Sequence, residues 1–277
     1  MEYRNQFDSL PQWEAGMRVH HLGIGAADIA PGVILTSNLE RVHTIASVFD
    51  EAVKVGEHRE YITYTGKFGS VPVSAMSIGN GCMPTAIAVE ELRHIGCRIM
   101  IKVGSCSSIQ EDLKPGTVIL PVAAVRDEGA TIEYVNLQYP AVADLDVFFA
   151  LLDSAAQRKL PVAEGVVRTH DALFMGSLHG HDSLSERVDP WRRLGVLAFD
   201  NEVAALFTIA SVLGSRAGAL LVVTDNLVTG ECMDFETGYP ELMHRVIMVA
   251  LESLQKLHTP GGQPEKPKNA LPGREYL

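Results

Sequence analysis

Six short apolar runs rich in β-branched residues punctuate the chain: GVILTS (32–37), VPVSAMSI (71–78), RIMIKVGS (98–105), TVILPVAAV (117–125), EGVVRTH (164–170) and GALLVVTD (218–225). Runs of this length without polar alternation read as strands buried on both faces. Strands of that kind need helices to cover them, and the segments between supply helices. PTAIAVEELRHIG carries Pro84 in a first turn, Ala88, Leu92 and Ile95 on one face and Gly96 as a stop. NEVAALFTIASVLG places Val203, Leu206, Phe207 and Ala210 on one stripe, and the segment 240–257 repeats the spacing with Met243, Ile247, Ala250 and Leu254. Strand and helix alternate, which predicts an α/β class with a central mixed, mostly parallel sheet flanked by helices. With 277 residues and 47% hydrophobic content, one domain suffices. We place it at 18–257, after an N-terminal extension (1–17) and before a Pro-, Gly- and Lys-rich tail (258–277) that reads as flexible or as lying on a neighbour.

Charge and cysteine usage narrow the setting. Lys and Arg number 23 against 34 Asp and Glu, so a nucleic-acid partner would meet net repulsion. Cys82, Cys97, Cys106 and Cys232 form neither a CxxC pair nor a zinc-like spacing, which suits a reducing compartment and predicts a cytoplasmic protein. The opening residues lack the apolar stretch of a signal peptide, and no apolar run reaches the ~18 residues of a membrane span.

Functional groups in α/β sheets gather where strands end. Four ends are notable: LTSNLERV (35–42), KVGSCSS (102–108), FDNEVAA (199–205) and VTDN (223–226). The first two join hydroxyls and backbone N–H groups to a cation, Arg41 or Lys102, as an oxyanion requires. Taken singly, each reads as readily as an ordinary turn. The other two supply Asp200, Glu202 and Asp225. Asp200 and Asn201 before an apolar helix also read as a helix cap. Asp225 follows a buried run, where desolvation is expected to raise a carboxyl's proton affinity, as suits a group that donates a proton.

Six ordered segments resemble the hexameric purine nucleoside and uridine phosphorylases over about 19–257: HHLGI, LTSNLERV, EHREYITYTG, SIGNGCMPTAIAVEEL, KVGSCSSIQ and FDNEVAA. The resemblance implies a distorted-barrel sheet and phosphorolysis of a nucleoside, with inorganic phosphate as co-substrate and no metal or organic cofactor. It implies phosphate binding by Ser37, Arg41, Lys102 and Ser105, with Arg59 reaching in from a neighbouring subunit. Ribose contacts fall to Glu202, Asn201 and a neighbour's His21, and base contacts to Cys106, Leu173, Phe199 and Asp225. The sharing of His21 and Arg59 implies a homo-oligomer built from dimers.

For the base, Ser177 and His179 stand where uridine phosphorylases carry Gln and Arg, whereas Asp225 stands where purine enzymes carry the acid that protonates N7. The sequence therefore predicts a purine nucleoside phosphorylase with Asp225 as general acid. Uridine phosphorolysis, hydrolysis by water and non-catalytic nucleoside binding remain as alternatives. Departures from the family pattern cluster at the phosphate site: Ser37 and Asn38 replace its Gly and Asp, Lys102 an Arg and Ser107 a Gly, while Asn201 replaces a ribose-site Met. Lysine offers a point charge in place of a bidentate fork. HGHD (179–182) and Cys106 lack the company a metal site or a nucleophile needs.

Overall fold

The computed structural model describes residues 17–172 and 183–258, so the N-terminal extension, the tail beyond 258 and the segment holding Leu173, Ser177, His179 and HGHD lie outside the described residues. The elements run in order β1 (Gly32–Thr36), α1 (Leu39–Ala46), β2 (Val53–His58), β3 (Tyr61–Phe68), β4 (Val71–Ser77), α2 (Cys82–His94), β5 (Ile99–Ser108), β6 (Val118–Asp127), β7 (Ala141–Val142), α3 (Leu145–Gln157), β8 (Val162–His170), α4 (Leu184–Arg193), β9 (Ala198–Asp200), α5 (Val203–Val212), β10 (Arg216–Asn226) and α6 (Tyr239–His258). All six apolar runs are strands, and the three periodic segments are α2, α5 and α6.

One mixed sheet carries every strand. β5 pairs in parallel with β1 and β10, β10 with β6 in antiparallel, and β6 in parallel with β8. β8 then pairs in parallel with β9, which returns antiparallel to β5 and closes a five-strand ring. From that ring β1, β4, β3 and β2 extend as an open wing. The sheet is the distorted barrel expected from the resemblance. Its longest ladders, β5 with β10 and β6 with β8, are parallel.

Helices cover the apolar strands as the pattern requires: α2 packs on α5, and α3 on α6. A continuous core runs from Val19 to Leu254. The close approach of α3 to the sheet depends on a glycine of β10. A Cβ at Gly218 of β10 would stand 2.5 Å from Val147 Cγ1 and 3.0 Å from Leu151 Cδ1 of α3. Gly218→Ala should therefore lower stability by about 1–3 kcal/mol through overpacking, read as a lower denaturant midpoint. An unchanged midpoint would show that α3 yields freely.

The sequence reading assigned no strand to 53–68, and at FDNEVAA it marked a strand end with no apolar run before it to define the strand. β2 is a solvent-facing strand, which removes the apolar run that betrays a buried one. β9 is three residues long, too short for any periodicity to show.

Candidate active site

Because β1, β4, β5 and β10 run parallel, their carboxyl ends share one edge of the sheet. Arg41 stands there in the first turn of α1, whose N-cap is Asn38; the Asn38 side chain accepts a bond from Arg41 N–H at 2.9 Å. Arg41 is 8% exposed. It donates to Thr36 Oγ1 (3.1 Å), the Val103 carbonyl (3.3 Å) and the Tyr239 hydroxyl (2.7 Å). All three acceptors are neutral, and among the described residues no carboxylate pairs with Arg41. A buried cation without a counter-ion is costly, so this position favours an incoming anion. Ser37 follows β1 directly and Ser105 lies on β5, both half-buried.

Lys102 has different partners from the phosphate expected of it. Its ammonium, fully buried, meets Asp200 Oδ2 at 3.1 Å and Glu202 Oε2 at 2.5 Å. Burial alone would pull its proton affinity down, but the Glu202 and Asp200 carboxylates outweigh this and hold it above the ordinary lysine range. Its charge is thus already compensated inside the fold.

Asp200 answers the helix-cap reading. Its Oδ2 accepts the N–H groups of Glu202 (3.0 Å) and Val203 (2.8 Å) at the start of α5, while Oδ1 accepts the Thr169 hydroxyl (2.6 Å). Asn201 takes no part in that cap. Its amide donates to the His170 carbonyl at 2.5 Å, and its own carbonyl accepts the Cys82 thiol. Glu202 Oε1 accepts the Gly81 N–H at 2.9 Å, where φ of +96° places glycine at the N-terminus of α2. This joins the glycine turn to the acidic motif.

Asp225 is half-buried at the end of β10, past a register shift that leaves Thr224 unpaired between Val223 and Asp225. The Ser107 and Thr224 hydroxyls both donate to its Oδ1, at 3.0 and 2.9 Å. The second oxygen is thereby left for another partner.

Phe199 departs from the base-stacking expectation: it is 3% exposed within a small apolar cluster with Ile109, Val188 and Val196. The Arg168 guanidinium covers its ring at 4.7 Å, and His170 meets it edge-on at 5.4 Å. Burial, reinforced by Arg168, holds the His170 pKa below its ordinary value. Cys106 is buried and its thiol is pushed far above the ordinary range by that burial, consistent with a packing role.

Two expected residues form no hydrogen bond to this cluster among the described residues. His21 is tied to Glu91 of α2, its Nδ1 lying 2.7 Å from Oε1 while its backbone N–H donates to the same carboxylate. Glu91 lies ten residues along α2 from Gly81, roughly 15 Å at the helical rise. Arg59 is exposed at the two-residue tip between β2 and β3, with φ of +54°. That tip projects from the sheet edge where β1 and β4 end. The sequence reading missed Tyr239 on Arg41 and the Asp200–Lys102 pair; no local motif signals either.

A parallel-rich ring with a charged rim of this composition defines a class, and a family model described as Phosphorylase superfamily matches residues 31–255. The chain belongs to the phosphorylase superfamily and is an enzyme of its nucleoside phosphorylase branch. It is 41% identical over 227 residues to a uridine phosphorylase of Thermococcus kodakarensis, covering 80% of this chain and 82% of the relative. It is 38% identical over 244 residues to a uridine phosphorylase of Treponema pallidum, covering 87% and 94%. A guanosine phosphorylase of Halorubrum lacusprofundi is 30% identical over 243 residues, covering 86% and 98%. Among the described residues no helix is long and apolar enough to cross a membrane.

Proposed function

We propose that the protein cleaves the glycosidic bond of uridine with inorganic phosphate, releasing uracil and ribose 1-phosphate. The observation that carries phosphate as acceptor is Arg41, a buried cation whose partners are all neutral. Uridine as substrate is supported by the uridine phosphorylases among the relatives, which weigh more than the sequence-based purine expectation. In this reading phosphate lies on Arg41, with Ser37, Ser105 and the partner subunit's Arg59 around it, and attacks C1′ as the bond to the base breaks. Glu202 accepts the ribose hydroxyls, with Asn201 and the partner subunit's His21 beside the sugar. The reading therefore includes a homo-oligomer, and cytoplasmic residence fits the free cysteines.

A second reading, guanosine or another purine nucleoside, is favoured by one observation. Asp225 ends β10 with Oδ1 occupied by two hydroxyl donors, which leaves Oδ2 to deliver a proton to N7. The guanosine phosphorylase among the relatives supports it.

A panel of uridine, guanosine, inosine, adenosine and cytidine, assayed with and without phosphate, tests both. Base release from uridine that requires phosphate and yields a sugar phosphate is the expected result. Free ribose formed at the same rate without phosphate would instead assign a hydrolase.

A further inference from the structure

Resting on the reading of Arg41 as the anion site and Glu202 as the ribose acceptor, we infer that Lys102 is a positioning residue for Glu202 and not a phosphate ligand. Lys102 Nζ lies 2.5 Å from Glu202 Oε2 and 3.1 Å from Asp200 Oδ2. The three side chains are 1%, 6% and 0% exposed, so solvent does little to screen them. One ammonium between two carboxylates leaves a net charge of −1. A phosphate dianion brought to that ammonium meets repulsion from two acids unless one withdraws, whereas the Arg41 guanidinium donates, among the described residues, to neutral acceptors alone.

The surrounding backbone is built to keep the triad in place. A Cβ at Gly104 would stand 2.9 Å from Lys102 Cε and 3.4 Å from Nζ, so the absent side chain makes room for the lysine stem beside the strand. Asp200 cannot easily withdraw, since the same Oδ2 caps α5 through Glu202 N–H and Val203 N–H and Oδ1 takes the Thr169 hydroxyl. Glu202 is held at its other oxygen by Gly81 N–H. An ionised carboxylate has about four lone-pair sites, and these bonds occupy two, leaving acceptor capacity for a sugar diol. Lys102 thus fixes one oxygen of the group that reads ribose. The bond preserves Glu202 as an acceptor and sets its direction.

The test separates the kinetic constants for the two substrates. In Lys102→Met, kcat/KM for the nucleoside should fall about tenfold, the preference for ribo- over 2′-deoxyribonucleoside should shrink, and KM for phosphate should stay within about threefold. Lys102→Arg, which returns a cation between the two acids, should recover nucleoside kcat/KM to within about threefold. Should Lys102→Met fail to fold, Lys102→Met combined with Asp200→Asn removes one charge of each sign and carries the same expectations. A rise in phosphate KM of about tenfold or more with the ribose preference unchanged would overturn the assignment and make Lys102 a phosphate ligand. Absence of phosphate-dependent turnover in the unaltered protein is a separate outcome, which overturns the phosphorylase reading itself.

Discussion

Arg41→Met should cut kcat/KM for phosphate by about 100-fold to 1,000-fold, the range lost when a preorganised charge partner is removed from a water-poor site. The size follows from what Arg41 lacks. Its donors reach Thr36 Oγ1, the Val103 carbonyl and the Tyr239 hydroxyl, and none of these offsets its charge. An arriving phosphate meets a full positive charge beside the first turn of α1, where the helix dipole has the same sign. Because the guanidinium also ties β1, β5 and α6 together, the methionine variant loses three hydrogen bonds and should melt earlier. Arg41→Lys separates the effects, as it keeps the charge and forfeits the fork. It should retain more phosphate affinity than methionine while losing comparable stability. If the two variants show the same phosphate KM as the unaltered protein, measured on folded material, the anion site lies elsewhere.

What could be read from the sequence depended on whether a residue's partner lies nearby in the chain. The buried strands were legible because burial on both faces forces an unbroken apolar run, as in β1, whose five residues are all buried. The wing strand β2 was not, because an exposed strand tolerates Lys54 and Glu57, which pair with one another. Residues at strand ends, Arg41, Glu202 and Asp225, were legible as candidates since topology alone puts strand ends together. Their bonding was not legible. Lys102 and Asp200 are 98 positions apart, and Arg41 and Tyr239 are 198 apart, so no spacing rule links them. The cap at α5 shows the same limit on a finer scale. Both Asp200 and Asn201 suit a helix start, but Glu202 is the N-cap of α5, and only the fold shows that the Asp200 carboxylate takes the first N–H groups while Asn201 goes to the His170 carbonyl.

This difference bears on how residues are carried across a family. A position aligned with a phosphate-binding arginine need not keep that role once lysine replaces it, since a lysine ammonium gathers two buried acids where a guanidinium fork has donors to spare. On the proposed reading, phosphate affinity then concentrates on Arg41 and on what a neighbouring subunit would add. Raising ionic strength should weaken any contribution from the partner's exposed Arg59 more than that of buried Arg41.

Asp225→Asn should lower guanosine turnover by about 100-fold to 10,000-fold and uridine turnover by less than about fivefold, with KM for either nucleoside moved only modestly. The asymmetry is chemical. A departing purine has a basic N7 on which a proton stabilises the leaving base, and uracil has no such atom. With Oδ1 held by the Ser107 and Thr224 hydroxyls, Oδ2 is the oxygen left to carry that proton, and an asparagine amide placed there donates a hydrogen bond without transferring a proton. The same two hydroxyls keep the variant's side chain oriented, so substrate binding should survive. Equal losses for guanosine and uridine would show that Asp225 supports the shape of the site, in which case the purine reading loses the observation it stands on.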